Sequence, residues 1–156
     1  MKKFVIFLLF VALPLIGGKI SGVISGDIAG HYKSIIQPDF SPPGVVFPIV
    51  WTVLYILMGI GSWMVYVKAV KNKSDPNYFI RPYSIQLALN YLWSPIFFGL
   101  AYYWVGAWLA LLLTAMVIGM IIRFSFISKI AASLQVPYLL WLIFATYLSF
   151  GVAVLN

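Results

Sequence analysis

GAWLALLLTAMVIGMIIRFSF, residues 106–126, contains one charged side chain, Arg123, and it lies close to the end of the segment. A helix that crosses a bilayer needs about 20 mostly apolar residues, so this segment is long enough to span a membrane. Runs of the same character occupy most of the remaining chain: Phe4–Ser25, Val45–Val67, Tyr83–Tyr103 and Ala131–Leu155. The sequence therefore predicts an all-α integral membrane protein, a five-transmembrane-helix bundle that forms a single domain over residues 1–156.

The first run has an alternative interpretation as a signal peptide, because Lys2 and Lys3 precede the apolar stretch Phe4–Leu13. No small-residue cleavage site follows that stretch, and apolar residues resume through Ile20–Ile24. We therefore interpret the first run as a transmembrane helix.

The composition excludes several classes of protein. Charged residues make up 8% of the chain and hydrophobic residues 63%, which is too apolar for a water-facing surface. Cysteine is absent and His31 is the single histidine, so we expect no metal site, and the sequence indicates no required cofactor. The net charge of +7 comes from cations that flank the spans, which favours a membrane face over a nucleic-acid partner.

The distribution of cations predicts an orientation. Eight of the ten fall on the side of the membrane that holds the N-terminus: Lys2, Lys3, Lys68, Lys71, Lys73, Arg81, Arg123 and Lys129. Cytoplasmic loops carry an excess of Lys and Arg, so in a plasma membrane the N-terminus is expected in the cytoplasm and the C-terminus outside.

Two connectors differ in character. Loop 26–44 is long and contains prolines, and we predict a short helix at His31–Ile36 followed by an extended path. It is either a lid over a binding site or a spacer that covers the end of the bundle. The stretch Lys68–Arg81 is the one strongly hydrophilic segment, and we expect it among lipid headgroups.

Polar side chains inside the third run form one stripe, because Gln86, Asn90 and Ser94 recur every four residues. Such groups face protein or a cavity, and two roles remain open: hydrogen bonds between helices, or contact with a ligand. Trp51 and Trp141 also lie several residues inside their runs, which is less typical of interfacial anchors.

Three segments together resemble the translocator protein family, also called the tryptophan-rich sensory protein or peripheral benzodiazepine receptor family. They are QPDFSPPGVVFPIVWTVLYILMG (37–59), QLALNYLWSPIFF (86–98) and VPYLLWLIFATYL (136–148). They occur in the expected order from the first loop to the C-terminus.

The resemblance implies a five-helix bundle, usually a homodimer in membrane lipid, with a pocket beneath loop 26–44. Its ligands would be protoporphyrin-like porphyrins, benzodiazepine-site compounds, other hydrophobic aromatic molecules and sterols. The residues expected to line that pocket by position are Tyr32, Trp51, Asn90, Trp93, Trp141 and Ala145.

Three functions remain open at this point. The first is a membrane receptor or carrier that binds porphyrins. The second is an enzyme that degrades protoporphyrin with light and oxygen, in which the resemblance assigns the catalytic roles to Trp51 and Trp141. The third is a regulatory membrane scaffold whose aromatic pocket is filled with lipid.

The sequence departs from the family pattern at three places. His31 precedes the loop residue Tyr32, where a Trp is common, and Ser149 stands where an Asn is common. No cation follows Tyr147, which weakens any expectation of sterol binding.

Overall fold

A computed structural model describes residues 2–156, with side chains from Phe4 onward, and every regular element in that part of the chain is helical. Its seven α-helices, here α1 to α7, are Lys2–Ile24, Ile28–Ser34, Val46–Lys71, Pro76–Ser94, Tyr103–Ile127, Lys129–Ser133 and Val136–Leu155. A single π-helical turn, Pro95–Gly99, follows α4. The predicted all-α class is therefore confirmed.

Four segments are long and apolar enough to cross a membrane: Phe4–Ile24, Val46–Lys71, Tyr103–Ile127 and Lys129–Leu155. The expected fifth span corresponds to α4, which packs against α1, α3 and α5 but has a more polar sequence. The long helices pack as a ring in the order α1, α3, α7, α5 and α4, with α4 also touching α3. This order brings the inner faces of α3, α4, α5 and α7 together around one core.

The third predicted run begins and ends earlier than expected. The Asp75 side chain accepts a hydrogen bond from the Asn77 backbone N–H at 2.9 Å, and Pro76 occupies the first turn, so α4 starts at Pro76. Because α3 also continues to Lys71, the hydrophilic stretch 68–81 is mostly helical and only residues 72–75 connect the two helices. The helix ends near Pro95, which has no N–H to donate.

The last predicted run is also divided. The Ser128 hydroxyl accepts a hydrogen bond from the Ala131 backbone N–H at 3.4 Å and caps α6, which ends at Ser133. A turn at residues 134–135 precedes α7, whose first turn contains Pro137. In loop 26–44 the short helix is α2, which begins three residues before the predicted His31 because Asp27 caps it at Gly30 N–H.

Small residues set how closely α1 approaches its neighbours. A side chain at Gly59 of α3 would meet the backbone of Phe10, and one at Gly18 of α1 would meet the Tyr55 ring. Two other glycines that could serve close packing, Gly22 and Gly119, have no neighbour within 4 Å of a Cβ position. The α1–α3 contact is therefore one close helix approach that glycine makes possible.

Candidate functional site

A small internal cavity lies between α3, α4, α5 and α7. It is lined by Trp51, Asn90, Trp93, Ala110, Leu113, Leu142 and Ala145. Its volume of about 10 Å³ is close to the space that one water molecule needs. Four of the six expected pocket residues therefore surround one point in the core, and in this closed conformation the point holds nothing larger than water.

Asn90 is held at the cavity by a chain of buried hydrogen bonds. The Tyr55 hydroxyl donates to Asn90 Oδ1 at 2.8 Å, and Asn90 Nδ2 donates to the Tyr138 hydroxyl at 3.1 Å. The Tyr138 hydroxyl in turn donates to Gln86 Oε1 at 2.8 Å. The chain ties α3, α4 and α7 together and leaves the second Nδ2 hydrogen of Asn90 free to donate toward the cavity.

The polar stripe of α4 therefore bonds between helices along its whole length. In its last turn the Ser94 hydroxyl lies 2.8 Å from the Ser25 hydroxyl of α1. Of the two roles that the sequence left open, hydrogen bonding between helices is present at Gln86, Asn90 and Ser94. At Asn90 the same geometry also allows ligand contact.

Trp93 forms one wall of the cavity in a fixed orientation. Its indole Nε1 donates to the Gly106 carbonyl of α5 at 3.0 Å. Its ring stacks on Phe97 with centroids 5.0 Å apart. The indole face, and not its N–H group, is thus available to a ligand, which suits contact with a flat aromatic molecule.

Trp141 and Tyr32 lie outside the small cavity. Trp141 lines a second, larger void of about 490 Å³ between α3 and α7, together with Ile49, Val50, Val53, Leu54, Pro137, Leu140 and Phe144. This groove is apolar and faces outward, because Ile49, Val53 and Leu140 are exposed on the bundle surface. The indole Nε1 of Trp141 is buried and has no hydrogen-bond partner in the described part of the chain.

The cavity and the groove are lined by adjacent residues of the same two helices, α3 and α7. Trp51 and Leu142 face the cavity, whereas their neighbours Val50 and Trp141 face the groove. We call these four residues, 50–51 and 141–142, the partition.

Loop 26–44 is fastened over this end of the bundle. The Asn156 side chain accepts from Ile36 N–H and donates to Ile36 C=O, both at 2.9 Å. The Tyr147 hydroxyl donates to the Asp39 carbonyl at 3.0 Å. These contacts attach the loop to the last turns of α7, the same helix that supplies Ala145 and Trp141.

Tyr32 is positioned within the loop and reaches the site through another aromatic ring. Its hydroxyl donates to the Pro42 carbonyl at 2.7 Å, and burial raises its pKa, an effect that the Ser41 hydroxyl partly offsets. Its ring contacts Phe47 at 5.1 Å, and Phe47 contacts Trp141 at 5.8 Å. Tyr32 is therefore a neutral donor in the cover of the site.

His31, which departs from the family pattern, also has a structural partner. Its Nε2 lies 2.9 Å from the Tyr103 hydroxyl, and its ring meets the edge of Phe98 at 5.9 Å. Both contacts join α2 to the chain that follows α4. Among residues 2–156 no cluster of three or more His, Asp or Glu side chains could hold a metal ion.

Sequence reasoning missed several residues of the site. Phe47 precedes Trp51 by one helical turn, and Tyr138 precedes Trp141 and Ala145 on the same face of α7, so helical spacing was a usable signal for both. Ala110, Leu113 and Leu142 are ordinary core residues in sequence, and only the packing of α5 against α7 identifies them.

The fold and the site together define an integral membrane protein, a helical bundle with a buried aromatic cavity under a fastened loop. Residues 10–155 match the model of the TspO/MBR family, and the chain belongs to that family.

Curated relatives cover most of the chain. It is 37% identical to tryptophan-rich protein TspO of Chlorobaculum tepidum over 81% of this chain and 79% of the relative. Its identity to tryptophan-rich protein TspO of Archaeoglobus fulgidus is 36%, over 94% and 93% of the two chains. Its identity to human translocator protein is 32%, over 92% and 85%.

Proposed function

We propose that the protein is a membrane receptor or carrier for porphyrins and similar flat, hydrophobic aromatic molecules. The observation that carries the proposal is the convergence of Trp51, Trp93 and Asn90 on one core cavity beside the small residue Ala145. Indole faces stack on a flat ring, and the amide of Asn90 offers a hydrogen bond to a carbonyl or carboxylate. The Ala145 side chain leaves room for a ring to approach α7.

Binding requires the cavity to open, because pockets for ligands of this size measure about 300–1,000 Å³. Movement of Trp51 and Trp141 in the partition would join the cavity to the groove of about 490 Å³. Membrane-soluble ligands would then reach the core from the bilayer between α3 and α7. The unpartnered Trp141 Nε1 would gain an acceptor on the ligand, which offsets part of the cost of opening.

The same proposal includes the arrangement in the membrane. We assign α4 as a fifth span, since it occupies the ring between α1 and α5 and its Gln86 and Asn90 face protein. The N-terminus lies in the cytoplasm and the C-terminus outside if the membrane is a plasma membrane. The homodimer, which only the family resemblance implies, also belongs to the proposal.

A second candidate function is the degradation of protoporphyrin with light and oxygen. Trp51 at the cavity favours it, since its ring lies 5.3 Å from Tyr55 and Tyr55 lies 6.4 Å from Tyr91. The excited porphyrin would take one electron from the indole and pass it to oxygen, and the superoxide formed would oxidise the porphyrin. The hole left on the indole would move to the phenols of Tyr55 and Tyr91, where a soluble one-electron reductant would have to refill it.

Light exposure of the porphyrin complex distinguishes the two functions. If the protein is only a receptor, it binds protoporphyrin without speeding its breakdown. The absorption bands then fade under light no faster than they do with a Trp51→Phe variant. The enzyme loses the bands under light and oxygen, and Trp51→Phe slows that loss by about tenfold or more. Trp108→Phe is the matched control, because Trp108 lies 60% exposed on the outer face of α5.

A further inference from the structure

A group of buried polar side chains lies between the hydrogen bonds of Asn90 and the end of the bundle that holds the connector 72–75. It consists of Ser62 on α3, Tyr83 and Gln86 on α4, and Gln135 just before α7, and we call it the glutamine layer. Ser62, Gln86 and Gln135 are 0% exposed, and Tyr83 is 5% exposed. None of the four lines either void of the candidate site.

The glutamine layer contains five polar atoms with no hydrogen-bond partner in the described protein: Ser62 Oγ, Tyr83 OH, Gln86 Nε2, and both Nε2 and Oε1 of Gln135. Buried amides and hydroxyls are almost always hydrogen-bonded, because leaving them unpaired in an apolar interior is costly. The cost is greatest within a membrane protein, where lipid offers no alternative partner. Five such atoms in one layer therefore indicate polar partners outside the chain.

The backbone makes room for the Gln135 amide. A Cβ at Gly61 would collide with Gln135 Nε2, so the missing side chain of Gly61 is what admits this polar group beside α3. The Gln135 side chain thus occupies a position in the core between α3 and the α6–α7 segment, and it is not a surface residue. An apolar side chain would fill the same space without an unpaired group.

Contacts and chain position make these side chains neighbours. Ser62 follows Gly61 directly, and its side chain lies close to the Tyr83 hydroxyl but outside hydrogen-bonding geometry. Gln86 lies one helical turn after Tyr83, and the Tyr138 hydroxyl, one turn after Gln135, donates to Gln86 Oε1. The four side chains therefore come from α3, α4 and the turn before α7, and Gln86 contacts Tyr138 directly.

We propose that the glutamine layer is an internal water-binding site. A buried water makes about three hydrogen bonds, so about two water molecules are enough to pair the unpartnered atoms. The proposed water also affects Asn90. Water that accepts from Gln86 Nε2 keeps Gln86 Oε1 turned toward Tyr138, and this fixes the direction of the hydrogen-bond chain that ends at Asn90 in the cavity.

Nuclear magnetic resonance of glutamine side chains tests the site directly in lipid nanodiscs without any ligand. The chain contains three glutamines, Gln37, Gln86 and Gln135, so ¹⁵N-glutamine labelling gives three side-chain amide pairs. We expect magnetisation transfer from water to the amides of Gln86 and Gln135, as well as to Gln37 in the loop. Transfer to Gln37 alone would overturn the proposal.

Gln135→Met gives an independent readout, because methionine has a similar shape and no hydrogen-bonding amide. If the layer holds water, the variant loses at least half of the water-to-Gln86 transfer and its thermal midpoint falls. If the layer is dry, the variant removes two unpaired groups, so its midpoint rises and the Gln86 signal is unchanged, which contradicts the proposal. Gln37→Met is the matched control and is expected to alter neither quantity at Gln86. Neither measurement depends on porphyrin binding, so failure here leaves the proposed function untouched.

Discussion

Asn90 joins Tyr55 to Tyr138 and also lines the cavity. Replacing it with leucine, which has nearly the same shape, leaves both tyrosine hydroxyls without that partner. We expect Asn90→Leu to lower the free energy of unfolding by about 1–3 kcal/mol.

Reversible unfolding in mixed detergent micelles measures this effect. Ser84→Leu is the control, because Ser84 lies on the exposed face of the same helix. An Asn90→Leu protein as stable as Ser84→Leu would show that the chain of hydrogen bonds contributes nothing to the fold. Hydrogen bonds inside membrane proteins average only about 0.6 kcal/mol each. A loss of unfolding free energy near the lower end of the range expected for Asn90→Leu is therefore still informative.

At the scale of single residues, the family resemblance named six pocket residues, and four of them, Trp51, Asn90, Trp93 and Ala145, line one cavity. That these residues bind a ligand stays a prediction. Tyr32 and Trp141 do not reach the cavity, and the reason is packing: Phe47 lies between them, and Trp141 turns toward the groove. Helical periodicity in a sequence gives the face of the helix on which a residue lies. It does not show which of two neighbouring voids an aromatic side chain enters.

Among the elements, the α1–α3 contact depends most directly on one small residue. A side chain at Gly59 would meet the carbonyl oxygen of Phe10, which is backbone and cannot rotate away. We therefore expect Gly59→Val to separate the two helices and lower the thermal midpoint by several degrees, as overpacking typically costs about 1–3 kcal/mol.

The control for this prediction is Gly119→Val, since no atom lies within 4 Å of a Cβ at Gly119. Differential scanning measurements of both variants in the same detergent compare them directly. Equal midpoints for the two variants would contradict a close α1–α3 approach.

Loop 26–44 is the second element whose behaviour follows from particular contacts. Asn156 pairs with both backbone groups of Ile36, and its side-chain oxygen protects the Ile36 amide hydrogen from exchange with solvent. We expect Asn156→Ala to increase deuterium uptake in the peptide that contains Ile36. Unchanged uptake would show that the loop is held by its other contacts.

The control for the loop prediction is Ser133→Ala, at the opposite end of the α6–α7 region, where the Ser133 hydroxyl donates only to the Ile130 carbonyl. Both variants are compared by hydrogen–deuterium exchange in nanodiscs. Only Asn156→Ala is expected to change uptake in residues 26–44.

Element boundaries were predicted least well, and capping explains the differences. Asp75 with Pro76 starts α4 earlier than its apolar run suggests, and Ser128 starts a separate helix before α7. Hydropathy averages over many residues, so it identifies a run and does not detect a one-residue cap. The predicted helix in loop 26–44 was displaced for the same reason, because Asp27 caps α2.

For the whole molecule, the arrangement in the membrane is the main untested prediction. The chain contains no cysteine, so single substitutions to cysteine can be labelled without background. We expect Lys73→Cys to be protected from a membrane-impermeant maleimide on intact cells, and Lys33→Cys and Tyr102→Cys to be labelled. Labelling of Lys73→Cys and Tyr102→Cys from the same side would show that α4 does not span the bilayer.

The measurement that tests the central claim most directly is protoporphyrin titration of the purified protein in the dark, followed by tryptophan fluorescence. We compare the unaltered chain with Ala145→Phe, which fills the cavity, and with Ala115→Phe, whose residue lies on the exposed face of α5. We predict saturable quenching that weakens at least tenfold in Ala145→Phe and is unchanged in Ala115→Phe. Absence of saturable quenching, or equal affinity in all three proteins, would contradict a porphyrin site in this cavity and favour a lipid-filled scaffold.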